Sequence, residues 1–182
     1  MNRNRSYWRI GISLTIGALF VSQCWGADII YFGAQGRVQG VFRGAASGFS
    51  QGMVPATKFA FDVHDPFDPN TGLITGRRQY SPVRVTKLLD ASSAQYMQAA
   101  ANNEVLTNVT INFFASDSAG KVFVVRSLVL TNALVVAVEH YSEPDATGAS
   151  VVMEQISFNF QKYTWNETVA GLSMTDSVGP IS

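Results

Sequence analysis

Between residues 151 and 163 apolar and polar positions alternate. Met153, Ile156, Phe158 and Phe160 are set against Gln155, Ser157, Asn159 and Gln161, and from Gln155 onward the period of two predicts a strand with one buried and one wet side. Shorter runs rich in Val, Ile, Phe and Tyr predict further strands at Ile29–Phe32, Lys58–Val63, Val83–Thr86, Val109–Phe114, Val122–Leu130 and Ala133–Tyr141. Turn-forming residues fall between them at Asp117–Gly120, Thr131–Asn132 and Glu143–Gly148, which favours antiparallel meanders over helical crossovers. One segment breaks the pattern. Asp90–Ala101 opens with Asp90, Ser92 and Ser93 as potential caps, is rich in Ala and Gln, and stops at Asn102–Asn103, so it predicts the one real helix. Its apolar stripe is read as Tyr96, Met97 and Ala100, packing on or beside the sheet. The expected fold is all-β with one short α-helix, arranged as a barrel or two-sheet sandwich.

The first 26 residues are patterned differently. Arg3, Arg5 and Arg9 precede the apolar run Ile10–Val21, and Ser22, Gln23, Cys24, Trp25, Gly26 and Ala27 follow. That order of basic, apolar and small predicts a secretory signal peptide over residues 1–26. The apolar run is about a dozen residues, short of the roughly 20 a membrane-spanning helix needs, so no stable membrane anchor is expected. Residues 27–182 contain no linker or low-complexity run and are read as one domain.

Charge narrows the partners. The chain has 13 Lys and Arg against 13 Asp and Glu, and the three arginines of the leading segment take no acid with them, leaving 10 against 13. A balance this even lacks the basic excess that nucleic acid requires, and no nucleic-acid partner is expected. The single cysteine, Cys24, excludes a disulfide framework and a cysteine-rich metal cluster.

A search for reactive groups finds little. The two histidines, His64 and His140, stand far apart, and the chain has no HExxH, CxxC or GxSxG pattern. Asp62 and His64 could converge on one side of a strand end, but no third ligand is indicated, and they read as a solvated pair. Asp68, Asn70 and Gly72 faintly resemble a calcium loop without its glutamate, and read better as a turn. No serine sits beside a credible base in sequence, and the sequons at Asn108 and Asn166 are short enough to arise by chance. No cofactor, metal or catalytic residue is assigned.

More informative is the stretch from His64 to Pro82. It holds too many prolines and glycines for regular core structure, yet carries Leu73, Ile74 and Tyr80. Apolar side chains on a long loop need a cover, either the domain's own surface or a neighbouring copy.

The run Asn70-Thr71-Gly72-Leu73-Ile74-Thr75-Gly76-Arg77, then Ser81-Pro82, then Val85-Thr86-Lys87 leading into Leu89-Asp90-Ala91-Ser92-Ser93 and the helix, resembles the type VI secretion tube protein family, hemolysin-coregulated protein or Hcp. The closing strand, Met153 to Trp165, is similar to that family's last alternating strand, and the resemblance spans about residues 28–176. It implies a two-sheet β-barrel with a helix at its side, assembled as a hexameric ring that stacks into a tube, with effector cargo in the lumen and sheath and spike proteins as further partners. It also implies a structural role with no enzymatic activity. Phe67, Asn70, Gly72, Leu73, Ile74, Gly76, Arg77 and Tyr80 would then be subunit-interface residues of the family's protruding loop, reaching a second copy of the chain. Ordinary members assemble in the cytoplasm without a cleavable leader. Residues 1–26 therefore leave a second reading open, an exported Hcp-like binding or effector module that is secreted or periplasmic and belongs to no contractile apparatus.

Overall fold

The computed structural model describes residues 29–44 and 46–178, so the leader expected over residues 1–26 lies outside the described residues. In chain order the elements are β1 (Ile29–Gly36), β2 (Gly40–Val41), β3 (Val54–Ala56), β4 (Lys58–Ala60), β5 (Val63–His64), β6 (Gln79–Tyr80), β7 (Val83–Leu88), α1 (Ser93–Ala101), β8 (Leu106–Ser116), β9 (Val122–Pro144), β10 (Ser150–Glu167) and β11 (Leu172–Ser177). Nine strands form one antiparallel sheet in the order β2-β1-β8-β9-β10-β7-β4, with β3 added to β1 and β11 to β10. The remaining two, β5 and β6, form a separate ribbon.

Thr131–Asn132 does not turn the chain, and the two strands expected on either side of it are the single strand β9. Asn132 adopts a left-handed φ of 49°, while its amide donates to Gln161 Oε1 at 2.9 Å. Pairing with β10 continues across it, Thr131 opposite Lys162 and Ala133 opposite Phe160. Asparagine tolerates the left-handed region, so a residue that signals a turn serves here as a local kink in a long strand.

The sheet rolls up because its two ends are made by one stretch of chain. β3 pairs with β1, Thr57 N donates to Thr86 O at 2.8 Å, and β4 pairs with β7. Residues 54–60 therefore join the first and last strands, and the result is a barrel-like sandwich without a complete ring of ladder hydrogen bonds. Between its layers Phe59 of β4 meets Phe113 of β8 edge-on with ring centroids 5.1 Å apart. Phe113 in turn lies 5.9 Å from Trp165. Phe32, Val83, Val85, Ile111, Leu128, Leu130, Ile156 and Phe158 fill the rest of this core.

Helix α1 closes one end of the sandwich. Its Tyr96 ring stands 5.8 Å from Phe32, 4.9 Å from Phe42 and 6.0 Å from Phe158, so one side chain touches both layers. The Phe32 pair is stacked and the other two meet edge to face, and aromatic pairs of these kinds are worth about 0.5–1.5 kcal/mol each beyond area burial. The buried stripe is Ser93, Tyr96 and Ala99, whereas Met97, expected in it, is 51% exposed. At about 100° per residue, Met97 is rotated off the face that Tyr96 buries.

The core-facing side of β10 also differs from the expected one at its start. Phe158 is opposite Val83, Ile156 opposite Val85 and Glu154 opposite Lys87. Glu154 thus shares the side of Ile156 and Phe158, and Met153 points the other way, between Leu88 and Tyr141. Lys87 and Glu154 are both fully buried, Nζ to Oε2 2.7 Å. Lys87 Nζ also donates to Asp90 Oδ1 at 2.9 Å and Ser93 Oγ at 2.8 Å. Ser93 Oγ donates to Glu154 Oε2 at 3.1 Å, and His140 Nε2 stands 2.9 Å from Glu154 Oε1. This network ties the start of α1 to β7, β9 and β10. Burial raises the pKa of Asp90, but Lys87 and the Ser92 donors outweigh it and hold the carboxyl below its ordinary value.

Candidate functional site

The segment between β5 and β6 is a self-supporting hairpin that projects from the sandwich. Val63 pairs with Tyr80 and His64 with Gln79 at its stem, and Phe67 bridges Ile74 further out. Asp68 N donates to Leu73 O at 2.9 Å, Thr75 N to Pro66 O at 2.9 Å and Gly72 N to Asp68 O at 2.7 Å. At the tip Asn70 N donates to the Asp68 carboxylate at 2.8 Å, and Gly72 turns the chain with a φ of 70° that a side chain would resist. The Asn70 N–H and its neighbours hold the Asp68 carboxyl below its ordinary pKa despite partial desolvation. The carboxylate oxygen of Asp68 thus organises a turn, and among the described residues no group of three His, Cys, Asp or Glu is placed to hold a metal ion.

The stem is fastened to the body by charge and by aromatic packing. Arg78 Nη1 lies 3.2 Å from Asp176 Oδ2 on β11, and Arg78 Nε lies 3.5 Å from Asp65. Tyr80 donates its hydroxyl to the same Asp176 oxygen. Its ring packs 6.2 Å from Phe160 and 5.8 Å from Tyr163. The Tyr80 hydroxyl, the Ser177 N–H and Arg78 together hold the Asp176 carboxyl below its ordinary pKa. The Tyr80 phenol is pushed up, first by burial and then by its bond to Asp176.

The eight residues proposed from sequence therefore divide into two groups. Phe67, Leu73 and Ile74 are 63%, 68% and 67% exposed and form an apolar tip. Asn70 and Gly72 shape the tip's turn, and Arg77 is exposed beside it. Gly76 and Tyr80 belong to the support: a Cβ on Gly76 would stand 3.3 Å from Pro66 Cγ, and Tyr80 faces inward. Sequence reasoning missed Arg78, Asp65 and Asp176 as anchors. Arg78 and Asp176 are 98 positions apart, and no local signal joins them.

The reactive groups weighed from sequence are all engaged in structure. His64 Nδ1 stands 3.2 Å from Asp62 and its Nε2 3.1 Å from Gln79, both on the solvent-exposed stem. His140 serves the buried Glu154 network. Lys87, Glu154 and Ser93 have the composition of a catalytic cluster, but Lys87 and Glu154 are closed off from solvent.

Comparison with known proteins agrees with this architecture. The family model described as type VI secretion system effector, Hcp, matches residues 46–166. The "Major exported protein" of Pseudomonas aeruginosa is 32% identical over 121 residues, 65% of this chain and 70% of that protein. A solved structure described as an Hcp protein superposes with a TM-score of 0.76 at 22% identity, covering 83% of this chain and 99% of the other. The secreted protein Hcp3 from Pseudomonas aeruginosa does so with a TM-score of 0.67 at 24% identity, covering 83% and 98%. The structural likenesses share the fold, the family match covers most of the chain described above, and the chain belongs to the Hcp family of type VI secretion effectors.

Proposed function

We propose that this chain is a structural subunit that works by symmetric self-assembly into a homohexameric ring, stacking into a tube that carries effector cargo and meets spike and sheath proteins. The observation that carries the reading is the hairpin tip. Phe67, Leu73 and Ile74 are held away from the body by a stem that is itself anchored, so their apolar surface is left for another molecule. A subunit of this kind needs complementary surfaces and closed rotation, and no reactive constellation. Membership of the Hcp family supports the same reading.

Size-exclusion chromatography with light scattering tests it, with a hexamer mass expected. Deleting Asn70–Thr75 is expected to leave a folded sandwich that no longer assembles, because the hairpin tip fills no part of the core. A chain that stays monomeric at high concentration, or a deletion variant that assembles like the parent, overturns the reading.

The second reading, an exported module outside any contractile apparatus, is favoured by Arg3, Arg5 and Arg9 before the apolar run Ile10–Val21. Sequencing the N-terminus of protein recovered from cell fractions separates the two. A cleaved chain in the periplasm or medium of cells lacking a contractile apparatus supports export as a module, and an intact N-terminus in the cytoplasm supports the first.

A further inference from the structure

The register of the sheet also shows what β8–β11 present on the side away from the core. Asn108 stands opposite Thr131, Thr131 opposite Lys162 and Lys162 opposite Ser177. Two residues further along the strands the outward row is Thr110, Val129, Thr164 and Thr175, and the next is Asn112, Ser127, Asn166 and Ser173. None of these twelve is buried. Ten are Ser, Thr or Asn, Lys162 is the one charged residue, and no acid is among them. A water-facing surface ordinarily mixes charges of both signs, and around β7 the same sheet does so. There the side away from the core carries Lys58, Arg84 and Glu139, all exposed. The neutrality of the β8–β11 face is therefore local and does not simply reflect the composition of the chain.

Several of its side chains are held in place. Ser173 Oγ donates to Asn166 Oδ1 at 2.7 Å, and Asn166 Nδ2 donates to Ser127 Oγ at 3.1 Å, which ties three strands in one line. Thr164 Oγ1 and Thr175 Oγ1 stand 3.0 Å apart. These bonds use only part of what carboxamides and hydroxyls can donate and accept. The remainder is offered from fixed positions, which lowers the ordering cost of binding.

Such a lattice donates and accepts at nearly every point and gains nothing ionic from a ligand except at Lys162. It suits a neutral polyhydroxyl chain, whose own groups also do both. The spacing agrees. Neighbouring strands lie about 4.8 Å apart, close to the length of one hexose along an extended glycan, whereas an extended peptide repeats at about 3.4 Å per residue and falls out of step with the strands.

We propose that the outward face of β8–β11 binds a neutral glycan laid across the strands, with about one sugar unit to each strand. The inference goes beyond self-assembly and needs no second copy.

The test is native electrophoresis of the full chain in gels cast with hydroxyethylcellulose, glycol chitin, mannan or glycogen, each mobility taken relative to a plain gel. Assembly changes mobility in every gel alike, so a failure of the self-assembly reading leaves this result readable. At least one of these polymers is expected to slow the parent, and anionic carboxymethylcellulose is expected to slow it less than hydroxyethylcellulose does. Thr164→Glu and Thr175→Glu each set a carboxylate on the face and are expected to raise the apparent Kd for the retarding polymer by about tenfold or more, since a bound glycan would strip water from the charge. Arg84→Glu, on the charged side of β7, is expected to bind like the parent. Circular dichroism checks that the variants are folded, and exposed Thr175 on β11 keeps the test open should Thr164→Glu misfold. A parent slowed by none of the neutral polymers, equal retardation by carboxymethylcellulose, or a folded Thr175→Glu chain that binds as tightly as the parent overturns the proposal.

Discussion

Replacing Lys87 by methionine keeps the bulk of the side chain and deletes its charge. Glu154 is then left fully buried with Ser93 and His140 as its remaining neighbours, and Asp90 loses its cation. Removing one partner of a buried pair costs about 3–5 kcal/mol, against the 0–1 kcal/mol of an exposed one. Urea unfolding, followed by tryptophan fluorescence and compared with the parent at equal protein concentration, reads this directly. With a slope of about 2 kcal/mol/M, the midpoint is expected to fall by about 1.5–2.5 M. Glu154→Gln alone is destabilising for the mirror-image reason, since it strands the ammonium. The double variant removes both charges, and is expected to be about 2 kcal/mol more stable than the sum of the single costs predicts. A fall of less than about 0.3 M for Lys87→Met, or strictly additive costs, would refute the view that these two side chains form one desolvated unit holding the helix.

Other buried side chains make further perturbations informative. Tyr96 Oη is buried with no hydrogen-bond partner among the described residues, and burial pushes its phenol up. Tyr96→Phe is therefore expected to stabilise by about 1 kcal/mol, a rise of about 2–4 °C in Tm, and a lowered Tm would show that the hydroxyl is satisfied. Burial opposes ionisation of Glu104, but the donors of Gln39 and Val38 outweigh it and hold its pKa below the ordinary 4.5. Its contribution is thus full above that value and drains as pH falls through the lowered folded pKa. Glu104→Gln is expected to flatten the acid limb of stability between about pH 5 and pH 3, and an unchanged limb would reject this role. A methyl at Gly36 would lie 3.0 Å from Glu104 Cδ and 3.1 Å from Phe42 Cε1. Gly36→Ala is expected to cost about 1–3 kcal/mol, and a Tm within a degree of the parent would mean that the carboxylate yields freely.

How much of this was legible beforehand depended on range. Alternation in β10 was readable because each residue's side follows from its neighbours, and the helix because its caps and formers are contiguous. Residues 65–80 were readable as a projecting loop, since Pro and Gly bar regular structure while Leu73 and Ile74 remain apolar. Their set of interface residues mixed tip and support, because nothing local shows that Tyr80 turns inward onto Phe160 and Tyr163. Glu154 carries a charge that reads as wet until Lys87, 67 positions earlier in the chain, is placed opposite it. Asn132 shows a different obstacle, as left-handed tolerance is shared by turns and by kinks within strands, and only the neighbouring strand decides between them.

The stretch from Val54 to Ala60 has a mechanical consequence. Acting as a clasp between the two rims, it makes each rim's fraying depend on the other, so local opening at either edge is coupled to the whole molecule. Load applied to either rim is then shared with the other, and a proteolytic nick near Thr57 would release both rims together.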